Sequence, residues 1–256
     1  MFLTKVRPDW KCIHSFKKRP FVHYNLKTFG ILHPIPYDFM KSYNDLPPDK
    51  YLLDSESRID TCPESIVTRS RRYAKLTIDV QDNYEYSITK SNCTTFEQNV
   101  DDSRSCKRDF EPMEIIHVWQ PWLLEFITQI TALSVLNHNY YKGNQPIKNA
   151  DVHIHQVRQT SYMDVDAHNS PEGIHRDGAD YIVSAFVINR YNIEGGESII
   201  YNKNKQTIYK TILEDKEGIY QEDIDQWHYV TPISTFNEGL GFRDILGVDI
   251  TLNTYG

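Results

Sequence analysis

Cysteine is sparse in this sequence: Cys12, Cys62, Cys93 and Cys106 are the four among 256 residues. They are widely spaced and form no Cys-x-x-Cys pair, which argues against an oxidised framework or a zinc knot. Reduced thiols in a cytoplasmic setting are the expectation. Long hydrophobic runs are missing as well. No stretch approaches the ~18 apolar residues that a membrane helix needs, and the opening MFLTKVRPDWKC lacks the apolar centre of a signal peptide. An excess of positive charge is also absent, since the formal net charge is −7. That leaves no broad electrostatic footprint for nucleic acid. Internal repeats and low-complexity tracts are not found. Neither a nucleic acid nor a membrane is therefore the expected partner.

What is present is ordinary for a globular chain: 39% hydrophobic and 25% charged residues. The length suits one large β-rich domain with extensions. We read residues 1–256 as a single unit, with 1–149 supplying an N-terminal extension, strands and a support helix, and 150–256 a jelly-roll core. Charge is uneven. Residues 1–50 hold nine Lys/Arg against four Asp, a balance of +5, so the remainder carries −12. Such a basic start is more often a solvated face than a docking surface.

Prolines 8, 20, 34, 36, 47 and 48 interrupt regular structure in the first fifty residues, leaving room for one short helix at Pro36–Leu46. Residues 73–80 and 84–88 alternate as strands around a polar turn at Gln81-Asp-Asn83, and 91–112 read as a loop. The spacing of Trp122, Phe126, Ile130 and Leu133 predicts a helix over Pro121–Asn139 with one apolar stripe packed on a sheet. Gly143-Asn144 then breaks the chain. Short β-branched and aromatic runs follow at 152–159, 181–189, 197–201, 206–213, 226–231 and 243–252. Glu194-Gly-Gly196 and Asn237-Glu-Gly239 read as turns between them. Many short strands with regular turns indicate a mainly β protein with flanking helices, a jelly roll or sandwich.

The chemistry-bearing pattern is His175-Arg176-Asp177, then His228 fifty-one residues after the Asp, then Arg243 fifteen residues later. Two histidines and one carboxylate are the set that holds non-haem Fe(II) on one face and leaves the other open. Residues 175 and 177 share a face if the backbone is extended. A 2-oxo acid and O2 then have positions to occupy. Alternation along 242–250 puts Arg243, Ile245 and Gly247 on one face and Phe242, Leu246, Val248 and Ile250 on the other. Arg243 among such neighbours needs an anion, and its planar fork matches the far carboxylate of 2-oxoglutarate. An ion pair with Asp244, Asp249 or Glu238 is the competing reading. Arg158 is the next candidate cation for an anionic substrate, or a strand-edge salt bridge. His155, with His153 on the same strand face, is a packing or substrate-pocket residue. Glu197 either touches a ligand or caps the Gly-Gly turn. Arg69, Arg71 and Arg72 form a basic cluster that either closes over the site or is a solvated face.

These segments resemble a known family. His155-Gln-Val-Arg158, Ile174-His-Arg-Asp-Gly178, Gly195-Gly196-Glu197, Trp227-His-Tyr-Val-Thr-Pro232 and Phe242-Arg-Asp-Ile-Leu246 are similar, in this order, to the bacterial 2-oxoglutarate/Fe(II) dioxygenases typified by L-isoleucine 4-hydroxylase. The resemblance covers residues 150–252 and extends more loosely to Arg69–Tyr73. It implies a double-stranded β-helix (cupin-like jelly roll) with flanking helices. It further implies iron ligands His175, Asp177 and His228, a 2-oxoglutarate anchor at Arg243, and oxidation of a free L-amino acid. Three alternatives stay open: the same chemistry on a peptide or a modified metabolite, including desaturation or cyclisation; a non-catalytic metal-binding jelly roll; and a zinc hydrolase.

Overall fold

The computed structural model describes residues 2–5, 20–52, 66–81, 85–97, 107–141, 145–163 and 165–255. Cys12, Cys62, Cys106, most of the Gln81–Asn83 turn and the Gly143-Asn144 break lie outside the described residues. Cys93 is an exposed free thiol. No helix among the described residues is long and apolar enough to cross a membrane.

An eight-stranded sheet dominates. Its strands are β1 (Phe2–Lys5), β2 (Phe21–Asn25), β3 (Arg69–Val80), β4 (Glu85–Lys90), β7 (Ile147–Tyr162), β8 (Tyr181–Tyr191), β12 (Glu217–Glu222) and β15 (Leu240–Thr254). They run in the order β1-β4-β3-β7-β15-β8-β12-β2, each pair antiparallel. A second sheet, β11 (Thr207–Ile212), β10 (Glu197–Tyr201) and β13 (Trp227–Val230), faces it. Two short ladders complete the set. One pairs β14 (Ile233–Thr235) with β9 (Ile193–Gly195), and the other pairs β5 (Thr95–Glu97) with β6 (Lys107–Asp109). The β5–β6 pair falls inside the stretch expected to be loop. β2 and β12 were missed as well, because Gly218 and the polar ends of β12 hide its alternation. Gly218 is required: a Cβ there would meet Tyr24 Oη at 2.8 Å and the Ala185 carbonyl at 3.0 Å.

Two apolar layers lie on opposite faces of the large sheet. Outside, Leu76, Ile154, Phe186, Leu246, Val248 and Ile250 pack under α3 (Pro121–Tyr141), with α1 (Tyr37–Lys41) beside it. The expected stripe of α3 is too narrow. Leu123, Leu124 and Ile127 are buried as fully as Trp122 and Phe126, and Phe29, Ile31 and Phe39 belong to the same core cluster as the helix. Inside, Val157, Ala185, Val187, Ile219 and Ile245 of the large sheet meet Ile200 of the small one. Period-two alternation therefore divides each long strand between a sealed outer core and the barrel interior. This is the expected double-stranded β-helix. The large sheet takes β1–β4 from before residue 150 and β8, β12 and β15 from after it, so the sheet does not divide at that position.

Candidate metal centre and its cleft

One isolated bridge assembles the three metal-ligand candidates. His175 lies in the connection between β7 and β8. Its backbone N–H donates to the His228 carbonyl at 3.0 Å, and the His228 N–H donates back at 2.9 Å. Directly paired residues project to one side, so the imidazole centres stand 4.3 Å apart. Asp177, two residues on, returns to that side. Asp177 Oδ2 lies 3.3 Å from His228 Nε2, and Oδ1 lies 3.8 Å from His175 Nε2. One ligand atom from each of the three falls within 4.8 Å of the others.

His175 is held from behind by a hydrogen bond, and a carboxylate stands behind His228 without bonding to it. His175 Nδ1–H donates to the Gly173 carbonyl at 2.9 Å, which leaves Nε2 as the lone-pair nitrogen. His228 Nδ1 faces Asp223 Oδ1 at 3.9 Å, and Asp223 Oδ2 accepts the Gly178 N–H at 2.6 Å. Contacts of this kind fix the orientation of a metal-binding imidazole. Burial, then the neighbouring His228, lower the His175 pKa. Burial opposes ionisation of Asp177, but the two imidazoles hold it below the usual carboxylate range. At His228 the Asp177 charge outweighs burial and raises the pKa. A group that attracts a proton here attracts a divalent cation for the same reason.

Arg243 occupies the barrel interior on β15. It is 0% exposed, and its Nε, Nη1 and Nη2 have no partner among the described residues. Burial, then Arg190 nearby, push its pKa down to about 9. Of the competing acids, Asp244 holds Arg158, Asp249 holds His155, and Glu238 is exposed to solvent. A buried charge without a partner is costly, so this guanidinium fits an anion that arrives from outside. The turn beside it leaves room. Gly196 has φ +69°, and a Cβ there would sit 3.0 Å from Ile233 Cγ2 and 3.5 Å from Arg243 Nη1. Along the small sheet, Ile200 pairs with His228, four residues from Gly196.

The triad opens into a cleft lined by Arg69, Arg71, Arg108, His155, Glu172 and Asp249, among others. The basic cluster of β3 is thus divided. Arg69 and Arg71 face the cleft, whereas Arg72 points the other way, to Glu111 and the Pro112 carbonyl. The solvated-face reading holds only for Arg72. Arg69 donates to Asp49 at 2.8 Å. Arg71 donates to His155 Nδ1, stacks on Phe110 and has an unpartnered Nε. Burial lowers the Arg71 pKa to about 10. His155 in turn donates from Nε2 to Asp249 at 3.1 Å.

His155 therefore reaches the cleft, but Arg158 and Glu197 do not. Arg158 is three residues along β7 and on its opposite face, where its fork engages Asp244 at 2.6 and 2.7 Å and Asn44 at 2.7 Å. Glu197 faces away from the interior toward Lys210 at 3.9 Å, with its backbone N–H on Thr231 Oγ1. Asp223, Glu172 and Arg108 were not singled out from the sequence. Each sits in an irregular or short segment whose local pattern says nothing about the cleft.

The model of the family described as 2OG-Fe dioxygenase matches residues 40–249. No curated protein sequence matches the chain. Among solved structures, a bsmA homologue from Methylobium petroleophilum PM1 is similar with TM-score 0.74 and 18% identity, over 99% of this chain and 96% of that one. The structure described as IDO from Bacillus thuringiensis gives TM-score 0.70 and 18% identity, over 95% and 99%. The Fe(II)/α-ketoglutarate-dependent dioxygenase TqaL gives 0.54 and 12%, over 96% and 87%. At these identities the likeness is one of fold.

Proposed function

Because the chain belongs to the 2OG-Fe dioxygenase family, an oxidoreductase family using Fe(II), 2-oxoglutarate and O2, we propose that it oxidises an unactivated C–H bond of a free L-amino acid, by hydroxylation. The observation that carries the reading is the buried, partnerless Arg243 guanidinium in the same barrel as the triad.

His175 Nε2, the Asp177 carboxylate and His228 Nε2 would hold Fe(II), and Arg243 would hold the distal carboxylate of 2-oxoglutarate. When bound, the iron would activate O2, the oxidant, and 2-oxoglutarate would supply two electrons, losing CO2 and taking up one oxygen atom as succinate while the other oxygen atom passes to the substrate. The protein's own part is positioning and exclusion. The Gly173 carbonyl keeps the His175 imidazole turned inward, and the Asp223 carboxylate stands 3.9 Å behind His228 Nδ1. Ile200, Val187 and Ile245 keep the interior apolar around the reacting carbon. Arg71, buried and only partly satisfied, is placed to take the substrate α-carboxylate. Its tether to His155 and Asp249 fixes the direction of that grip. Glu172, in the same lining, suits the α-ammonium group. We further assign residues 1–256 to one oxygenase domain, and favour a reducing, cytoplasmic setting that keeps iron as Fe(II).

The test is succinate formation by anaerobically loaded Fe(II) protein with 2-oxoglutarate and O2 across the free L-amino acids, with products read by mass spectrometry. One amino acid should stimulate succinate and gain sixteen mass units, and Asp177→Ala should reduce this to background. Loss of two mass units would replace hydroxylation by desaturation or cyclisation. Stimulation only by peptides would overturn the substrate class.

A further inference from the structure

Arg243 is not the sole buried group on the interior face without a partner. Gln159 stands directly opposite it on β7 in the strand register. Gln159 continues the face on which His155 and Val157 line the cleft, just as Arg243 continues the face of Ile245 and Gly247. Directly opposed side chains on one face have Cβ atoms roughly 5 Å apart. Gln159 is 0% exposed, yet neither its Nε2 nor its Oε1 has a hydrogen-bond partner among the described residues. A buried primary amide with nothing to bond is expensive, and native structures keep few of them. Across the interior, Ser198 repeats the pattern. It lies on β10 two residues before the inward-packed Ile200, is 3% exposed, and its Oγ has no hydrogen-bond partner among the described residues.

Resting on the reading of Arg243 as the oxo-acid anchor, we propose that Gln159 is the second half of that anchor and a determinant of which oxo acid is accepted. Its amide Nε2–H donates to the distal carboxylate, and its Oε1 accepts from the Arg243 guanidinium. Ser198 Oγ–H supplies a third donor from the small sheet. A carboxylate has about four lone-pair positions, more than one guanidinium edge can fill. The unpaired amide and hydroxyl provide for the rest. An oxo acid without a distal carboxylate would leave all three side chains unsatisfied, which disfavours it.

The test is equilibrium binding by calorimetry, without O2, of 2-oxoglutarate and of pyruvate, which lacks the distal carboxylate. The protein is the full chain loaded with Fe(II). The quantity read is the ratio of the two affinities, which a general loss of folding or of metal does not alter. Gln159→Leu should reduce the preference for 2-oxoglutarate by about tenfold, the size of one hydrogen bond to a charged group. Gln159→Glu should reduce it further, because the new carboxylate pairs with Arg243 and competes with the ligand. The melting temperature of the ligand-free Gln159→Glu protein should rise, as an internal acid satisfies the buried charge. An unchanged ratio in both variants would overturn the proposal. If Arg243→Met also leaves the ratio unchanged, the anchor reading itself is wrong. If only Arg243→Met lowers it, the anchor stands and Gln159 has no part in it.

Discussion

Arg158 and Arg243 occupy neighbouring strands, β7 and β15, one register step apart, and their surroundings are opposite. Arg158 stands across from Asp244 and Arg243 across from Gln159. The first pair closes on itself with two short hydrogen bonds on the helix-covered face. The second leaves a fully buried guanidinium facing the barrel interior with no hydrogen-bond partner among the described residues. Local sequence does not separate them, since each arginine lies in a β-rich run beside an aromatic or branched neighbour. Burial and the charge across the strand do separate them. A buried cation with its own carboxylate is a structural element, and one without is a candidate receptor for an anion.

The comparison can be broken experimentally. The largest effect on stability should come from Arg158→Met, which strands the Asp244 carboxylate inside the protein. Breaking a buried pair in this way costs about 3 kcal/mol, readable by denaturant unfolding, with the KM for 2-oxoglutarate unchanged. Arg243→Met should do the reverse. The KM for 2-oxoglutarate should rise roughly thirtyfold, the scale of hydrogen bonds to a charged group, while the melting temperature of the ligand-free protein stays level or rises. A matching loss of stability in both variants would remove the distinction. Asp223→Asn should weaken Fe(II) binding by about tenfold, as loss of an outer contact to a metal-binding imidazole does. Equilibrium metal titration would show this, with little change in 2-oxoglutarate preference.

The remaining test is one of pH dependence and concerns Asp49, another acid that closes arginines internally. Burial alone would raise its pKa, but Arg69 and Arg71 hold it below the usual value of 3.8. The folded state then binds fewer protons than the unfolded chain below about that pH. Its stabilising contribution, complete at neutral pH, is lost as the pH falls through the lowered value. Asp49→Asn should flatten the acid limb of a stability–pH curve and leave the region above pH 5 parallel to the parent.

Much of this protein can be read along the chain. Alternation at 243–250 separates Ile245 and Gly247, which line the cleft, from Leu246 and Val248, which lie in the outer core, because a strand has period two whatever covers it. The His-x-Asp pair shares a side for the same reason. The helix over residues 121–141 follows from its spacing, although its second buried face does not. Where periodicity fails, so does the reading. β12 carries Gly218 under Tyr24. Asp223 lies five residues before His228 in a bend. The cleft arginines sit on β3, and their partner Asp49 comes from a proline-rich stretch twenty residues earlier.

Residue types and short spacings, then, determined by themselves the β-rich class and a candidate three-ligand set with an arginine downstream, because those depend on local backbone periodicity and donor chemistry. The tertiary structure alone decided which arginine is satisfied and which is left open. It also paired His175 with His228 across one bridge, and set Gln159 opposite Arg243. Those relations depend on register between strands distant in sequence and on the exclusion of water from one face of a sheet, and neither is written in any single segment.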